Sequence, residues 1–96
     1  MTSKQRAYLR GLANTIDPIF QIGKASLTPE NIQAISDALE KRELIKVSVL
    51  KNCLDDPKEI AEVLAERSRS QVVSVFGKKI TLYRKAKKNS KIELPK

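Results

Sequence analysis

Apolar residues recur along the chain in two rhythms. Near the start, Leu9, Leu12 and Ala13, with Ala7 at the edge, share one helical side and leave Lys4, Arg6 and Arg10 to solvent. Thr2 or Ser3 can cap this helix, Gly11 weakens it, and Asn14 offers a stop after Ala13. Thr28-Pro29-Glu30 is the clearest helix start. Thr28 suits the N-cap, Pro29 the first helical position, and Glu30 the positive helix end. Ile32, Ile35, Ala38 and Leu39 then keep helical spacing, and the helix should end near Arg42. A third start lies at Asp56-Pro57-Lys58-Glu59, where Asp56 and Glu59 have capping-box spacing and Ile60, Val63 and Leu64 form the apolar stripe.

Between these helices the period changes to two. Leu44 to Leu50 places Ile45, Val47 and Val49 on one face and Lys46 and Ser48 on the other, a strand pattern. Ile19 to Ile22, entered through Asp17-Pro18, reads as a short strand followed by the loop Gly23-Lys24-Ala25-Ser26. Gln71 to Phe76 and Lys79 to Arg84 are β-rich runs on either side of Gly77-Lys78, hence a hairpin. The resulting order is α-β-α-β-α-β-β. It predicts a single compact α/β domain over residues 1–84, a four-stranded sheet with three helices packed on it in two or three layers. Residues 85–96 read as a basic, mobile tail.

With 96 residues, 41% of them hydrophobic, the chain fits one domain with a mainly aliphatic core. Phe20, Phe76 and Tyr83 lie on expected strands and count as core candidates, which leaves Tyr8 as the exposed ring. Aromatic residues are thus too few for a sheet that stacks bases on adjacent central strands. A lone cysteine, Cys53, forms no internal disulfide, and no apolar run is long enough for a transmembrane helix. The basic start, Met1 to Arg10, is not followed by the apolar stretch of a signal peptide, so the cytoplasm is the expected compartment.

Charge adds more. Nineteen Lys and Arg against eleven Asp and Glu give a net +8, a balance that attracts polyanions. It is also unevenly spread. Residues 1–29 carry +3, residues 30–66 carry −4 and residues 67–96 carry +9. A solubilising charge would be more evenly mixed. Segregation suggests a basic face drawn from the first helix, the Gly23 loop, the hairpin and the tail.

Catalysis is disfavoured. Without histidine the chain lacks the commonest general base and metal ligand, and Cys53 has no imidazole to activate it. Asp55-Asp56 is better explained by a helix cap than by a metal site. No cofactor is expected. Binding is the better class. The Gly23 to Ser26 loop, leading from a strand to a helix, can offer backbone N–H groups and Lys24 to a phosphate, though an ordinary turn would look the same. Lys78, Lys79 and Arg84 suit phosphate contacts from the hairpin, and they equally suit edge protection.

Several pieces carry a family resemblance. They are Lys4-Gln5-Arg6-Ala7-Tyr8-Leu9-Arg10-Gly11-Leu12-Ala13, then Gln21-Ile22-Gly23-Lys24 with Leu27-Thr28, Glu43-Leu44-Ile45-Lys46-Val47, Val75-Phe76-Gly77-Lys78, and Leu82-Tyr83-Arg84. Together they resemble the YhbY family of bacterial proteins, the stand-alone form of the CRM domain, and its YqeI-type members in particular. The resemblance implies a four-stranded mixed sheet with three helices, similar to the C-terminal domain of translation initiation factor three. It also implies RNA binding, with ribosomal RNA in precursors of the large subunit as the target and ribosome assembly as the role. The family's loop reads Gly-x-x-Gly, whereas here Ser26 replaces the second glycine. A position that needs positive φ would strain a serine. A position that needs only a small residue would accept it, and the hydroxyl could meet a phosphate. The expected binding set is therefore Gly23, Lys24, Ala25 and Ser26, extended by Lys4, Arg6 and Arg10 and by Lys78, Lys79 and Arg84, on a monomer. The other readings are a protein-interaction adaptor using the acidic helices, and a DNA-binding basic protein.

Overall fold

The computed structural model describes residues 1–95. Its elements are α1 (Ser3–Ala13), β1 (Phe20–Ile22), α2 (Pro29–Arg42), β2 (Leu44–Val49), α3 (Pro57–Ser68), β3 (Gln71–Phe76) and β4 (Lys79–Tyr83). The caps act as the sequence suggests at two starts. Thr2 and Gln5 form a reciprocal capping box, and the Thr28 hydroxyl accepts from the Asn31 amide at 3.1 Å. At the third start Asp56 accepts from Lys58 N–H at 3.0 Å, not from the Glu59 amide that the capping-box spacing suggested.

The sheet runs β1-β2-β4-β3, with β1 parallel to β2 and the other pairs antiparallel, so it is mixed. Period-two alternation divides its side chains between two cores, giving three layers. The larger core holds Ile45, Val47 and Val49 of β2 and Ile80 and Leu82 of β4 against Ile35 and Leu39 of α2 and Ile60, Ala61 and Leu64 of α3. Cys53 belongs to this core. Ala61 takes the buried place expected of Val63, which stays exposed. On the opposite face α1 lays Leu9 and Ala13 over Leu44, Val73 and Tyr83. Because α1 covers only part of that face, Lys46, Ser48, Lys79 and Thr81 lie beyond the small core, nearer the β3–β4 hairpin.

In β3 the pairing with β4 skips a residue between Val72 and Ser74, a β-bulge. Val72 and Val75 both pack on the larger core, while Val73 and Phe76 go to the α1 side. Phe76 is therefore not a core residue. It is 85% exposed, against the sequence expectation.

Residues 85–95 form no helix or strand, yet they are tied to the domain. The buried Glu43 carboxylate accepts from the Ala86, Lys91 and Ile92 amides and from the Ser90 hydroxyl. Ile92 and Leu94 pack against the α1 core, and the Gln5 side chain donates to Pro95 O at 3.0 Å. Nothing in the sequence pattern revealed this clasp on a segment read as a mobile arm. Among the described residues no helix is long and apolar enough to cross a membrane.

Candidate nucleic-acid interface

Three chain reversals meet at one end of the sheet. Leu50 N–H donates to Ile22 O at 2.8 Å, and Val49 N–H donates to Lys78 O at 2.7 Å. These bonds hold together the loop after β1, the turn after β2 and the β3–β4 hairpin. Lys24, Lys51 and Lys78 are thereby grouped at the same edge of the molecule, all exposed. Lys24 and Lys78 were expected on a basic face from the sequence; Lys51 was not, because only the strand-end pairing brings its turn beside the other two.

The loop after β1 is a tight turn closed by Ser26 N–H donating to Gly23 O at 2.9 Å. Ser26 has φ 56°, inside the left-handed region. This settles which requirement the position imposes: it is a positive-φ site, the kind that glycine fills at no steric cost. Ser26→Gly should therefore stabilise the fold by about 0.5–1 kcal/mol, the relieved left-handed cost being partly offset by a more flexible unfolded chain. Urea denaturation checks this; an unchanged or lowered midpoint would show that the serine is unstrained. Gly23 does not have positive φ, and a Cβ there would meet the Asn52 amide oxygen only at 3.5 Å, an ordinary contact. Gly77, by contrast, is at φ 59° as the first residue of a two-residue hairpin, where a glycine is demanded.

A groove runs from this edge under the C-terminal end of α1. It is lined by Arg10 and Asn14 of the helix end, by Lys46, Lys79 and Thr81 of the central strands, and by Ser74 and Phe76 of the edge strand. Alternation explains the set. Lys46 lies opposite Thr81, and Ser48 opposite Lys79, whose ammonium donates to the Ser48 hydroxyl at 3.2 Å. Lys46 was legible as the polar side of its strand; that this side forms a groove wall was not.

The remaining expected residues are placed differently. Arg6 stands one helical turn behind Arg10 on the same side of α1 and continues the line of charge. Lys4 lies at the helix start, next to the Gln5 that bonds Pro95, roughly 9 Å along the axis from Arg10. Arg84 is a correction. It follows β4 at the opposite end of the sheet from the hairpin, and its guanidinium is engaged on the α2–α3 side. It donates to the Ser36 hydroxyl at 3.0 Å, to Ser36 O at 2.7 Å and to Ser68 O at 2.7 Å, with Glu40 at 3.7 Å. Its fork ties the two helices together and is not available on the basic face.

The Glu43 carboxylate is strongly stabilised as an anion. Burial alone would push its carboxyl pKa up, but the amides of Ala86, Lys91 and Ile92 and the Ser90 hydroxyl outweigh that and bring it from 4.5 down to about 2. Burial, and then the Glu43 charge, push the Tyr83 phenol up.

The chain is similar to proteins of one family. The CRS1 / YhbY (CRM) domain model matches residues 1–84. A Bacillus subtilis protein bearing the name probable RNA-binding protein YqeI is 50% identical over 95 residues, which cover 99% of each chain. A Haemophilus influenzae protein named RNA-binding protein is 30% identical over 96 residues, covering 100% of this chain and 96% of the other. The fold matches the solution structure of a hypothetical Staphylococcus aureus protein, described as a candidate RNA binder, with a TM-score of 0.83 and 56% identity over 99% of both chains.

Proposed function

The chain belongs to the CRS1/YhbY (CRM) domain family, and from that premise we propose that it binds structured RNA through the hairpin end of its sheet. The observation that carries this reading is the convergence of Lys24, Lys51 and Lys78 at one edge, continued by Arg10, Lys46 and Lys79 in the adjoining groove. Phosphate is the group such a surface recognises, because clustered cations release condensed counterions when they meet a nucleic-acid backbone. The acidic helices α2 and α3 pack on the other face of the sheet, although Asp55 and Glu59 around the start of α3 line a pocket beside Ser26.

The target we propose is ribosomal RNA in precursors of the large ribosomal subunit, with a part in assembling that subunit by contact and not by catalysis. This step rests on the family resemblance read from the sequence. Sedimentation of a cell lysate, at low and moderate salt and with an RNase control, tests it. The protein should travel with particles near the large subunit, be absent from mature ribosomes, and be released by salt or RNase. A protein that stays at the top of the gradient at low salt has no such target. One that rides with particles but resists salt and RNase is held by protein contacts, as an adaptor would be.

A further inference from the structure

We propose that Phe76 is a stacking platform for an unpaired base, so that the bound RNA contributes at least one nucleotide outside a duplex. This deepens the RNA-binding reading and rests on it. Phe76 is 85% exposed, far more than Tyr8 at 44%. A single exposed apolar side chain needs no explanation by itself. The surroundings of this one do. The bulge at Val72–Ser74 turns Phe76 away from the larger core and onto the open side of the sheet. There it lies directly across from Lys79, and it shares the groove with Lys46 and Arg10.

A nucleotide is a flat, largely apolar ring tied to a negative charge. The groove presents the complement, a flat apolar ring among three cations. Every base has a face that can stack, so such a site is tolerant of sequence. In a duplex those faces are already covered, and the major groove of A-form RNA is too deep and narrow for side chains to read. Only a base in a loop, bulge or single strand can meet the ring. The cations would then hold the phosphates that flank it.

The chain contains no tryptophan, so Phe76→Trp provides a tryptophan signal from this position alone, separable from the two tyrosines by selective excitation. The full-length protein is titrated with a single-stranded RNA oligonucleotide and with a blunt, fully paired RNA of equal length. The proposal expects three results. Phe76→Trp binds the single strand with quenching of its emission. Phe76→Ala loses roughly 5- to 150-fold in affinity for the single strand and less than about twofold for the duplex. Phe76→Leu, which keeps apolar bulk without a flat face, behaves like the alanine variant.

Unchanged single-strand affinity in Phe76→Ala overturns the proposal, as does binding of the Trp variant without quenching. Rescue by Phe76→Leu overturns it too, pointing to a hydrophobic contact such as a protein partner would make. If the wild-type protein binds neither RNA, the RNA-binding reading itself fails. If Lys24→Glu with Lys78→Glu weakens both RNAs while Phe76→Ala weakens neither, only the stacking claim fails.

Discussion

Glu43→Gln should destabilise the fold by about 3 kcal/mol near neutral pH. Glu43 joins α2 to β2 at φ 66°, a left-handed conformation unfavourable to any residue with a Cβ. What compensates is the side chain. Both carboxylate oxygens accept two hydrogen bonds, so all four donors belong to the segment from Ala86 to Ile92. Glutamine has the same size, but its NH2 group would face two of those donors and leave them unpaired in a buried site. The clasp should then open, and the lysines of the C-terminal segment should become sites of rapid cleavage by trypsin.

The pH dependence has a definite sign. Since the folded state lowers the Glu43 pKa from 4.5 to about 2, the carboxylate stabilises the fold fully above about pH 4.5, and this is lost as pH falls towards 2. The shift corresponds to about 3 kcal/mol, in line with the cost of the substitution. Denaturation at pH 7 and pH 3 should therefore show wild type and Glu43→Gln converging in acid. Equal stability at pH 7, with equal protease resistance, would show that the clasp contributes little.

Reversing charge at the sheet end should weaken RNA binding on the order of 100-fold at low salt, in the double variant Lys24→Glu with Lys78→Glu. Both side chains are exposed, so folding stability should change by no more than about 0.5 kcal/mol per site. The salt dependence is the sharper readout. Each phosphate contact contributes about 0.7–0.9 to the slope of log K against log salt, so two lost contacts lower it by about 1.5. Arg84→Gln should behave in the opposite way. It removes the guanidinium shared between Ser36 and Ser68, and should cost about 2 kcal/mol of stability while leaving the salt slope unchanged. A reduced slope in Arg84→Gln, with Lys24→Glu and Lys78→Glu silent, would move the binding surface to the α2–α3 side.

The contrast between Lys78 and Arg84 also marks how far the sequence can be read. Both are basic residues at the ends of β-rich runs. Lys78 sits in a turn whose two-residue length and leading glycine identify it locally. Arg84 acquires its role from Ser36 and Ser68, partners 48 and 16 positions away, and no local pattern encodes them. The elements themselves were legible wherever a side chain acts on its neighbours, as in the Thr28-Pro29 helix start or the alternation of β2. Phe76 was misplaced for a related reason. Strict alternation from Val72 puts it on the core face, and the one-residue bulge reverses the phase. The clasp on the C-terminal segment was invisible because its acceptor, Glu43, lies more than forty positions from every donor. Segregated charge pointed to a basic face, but only the strand order could group Lys51 and Lys46 with the residues already suspected.

The most direct test of the account is amide chemical-shift mapping of the 96-residue protein during titration with a structured RNA. The expected result is that shifts cluster at Gly23 to Ser26, Lys51, Gly77 to Lys79, Lys46 and Arg10, and fade as salt is raised. Shifts confined to α2, α3 and the surroundings of Arg84, with the hairpin end silent, would contradict it.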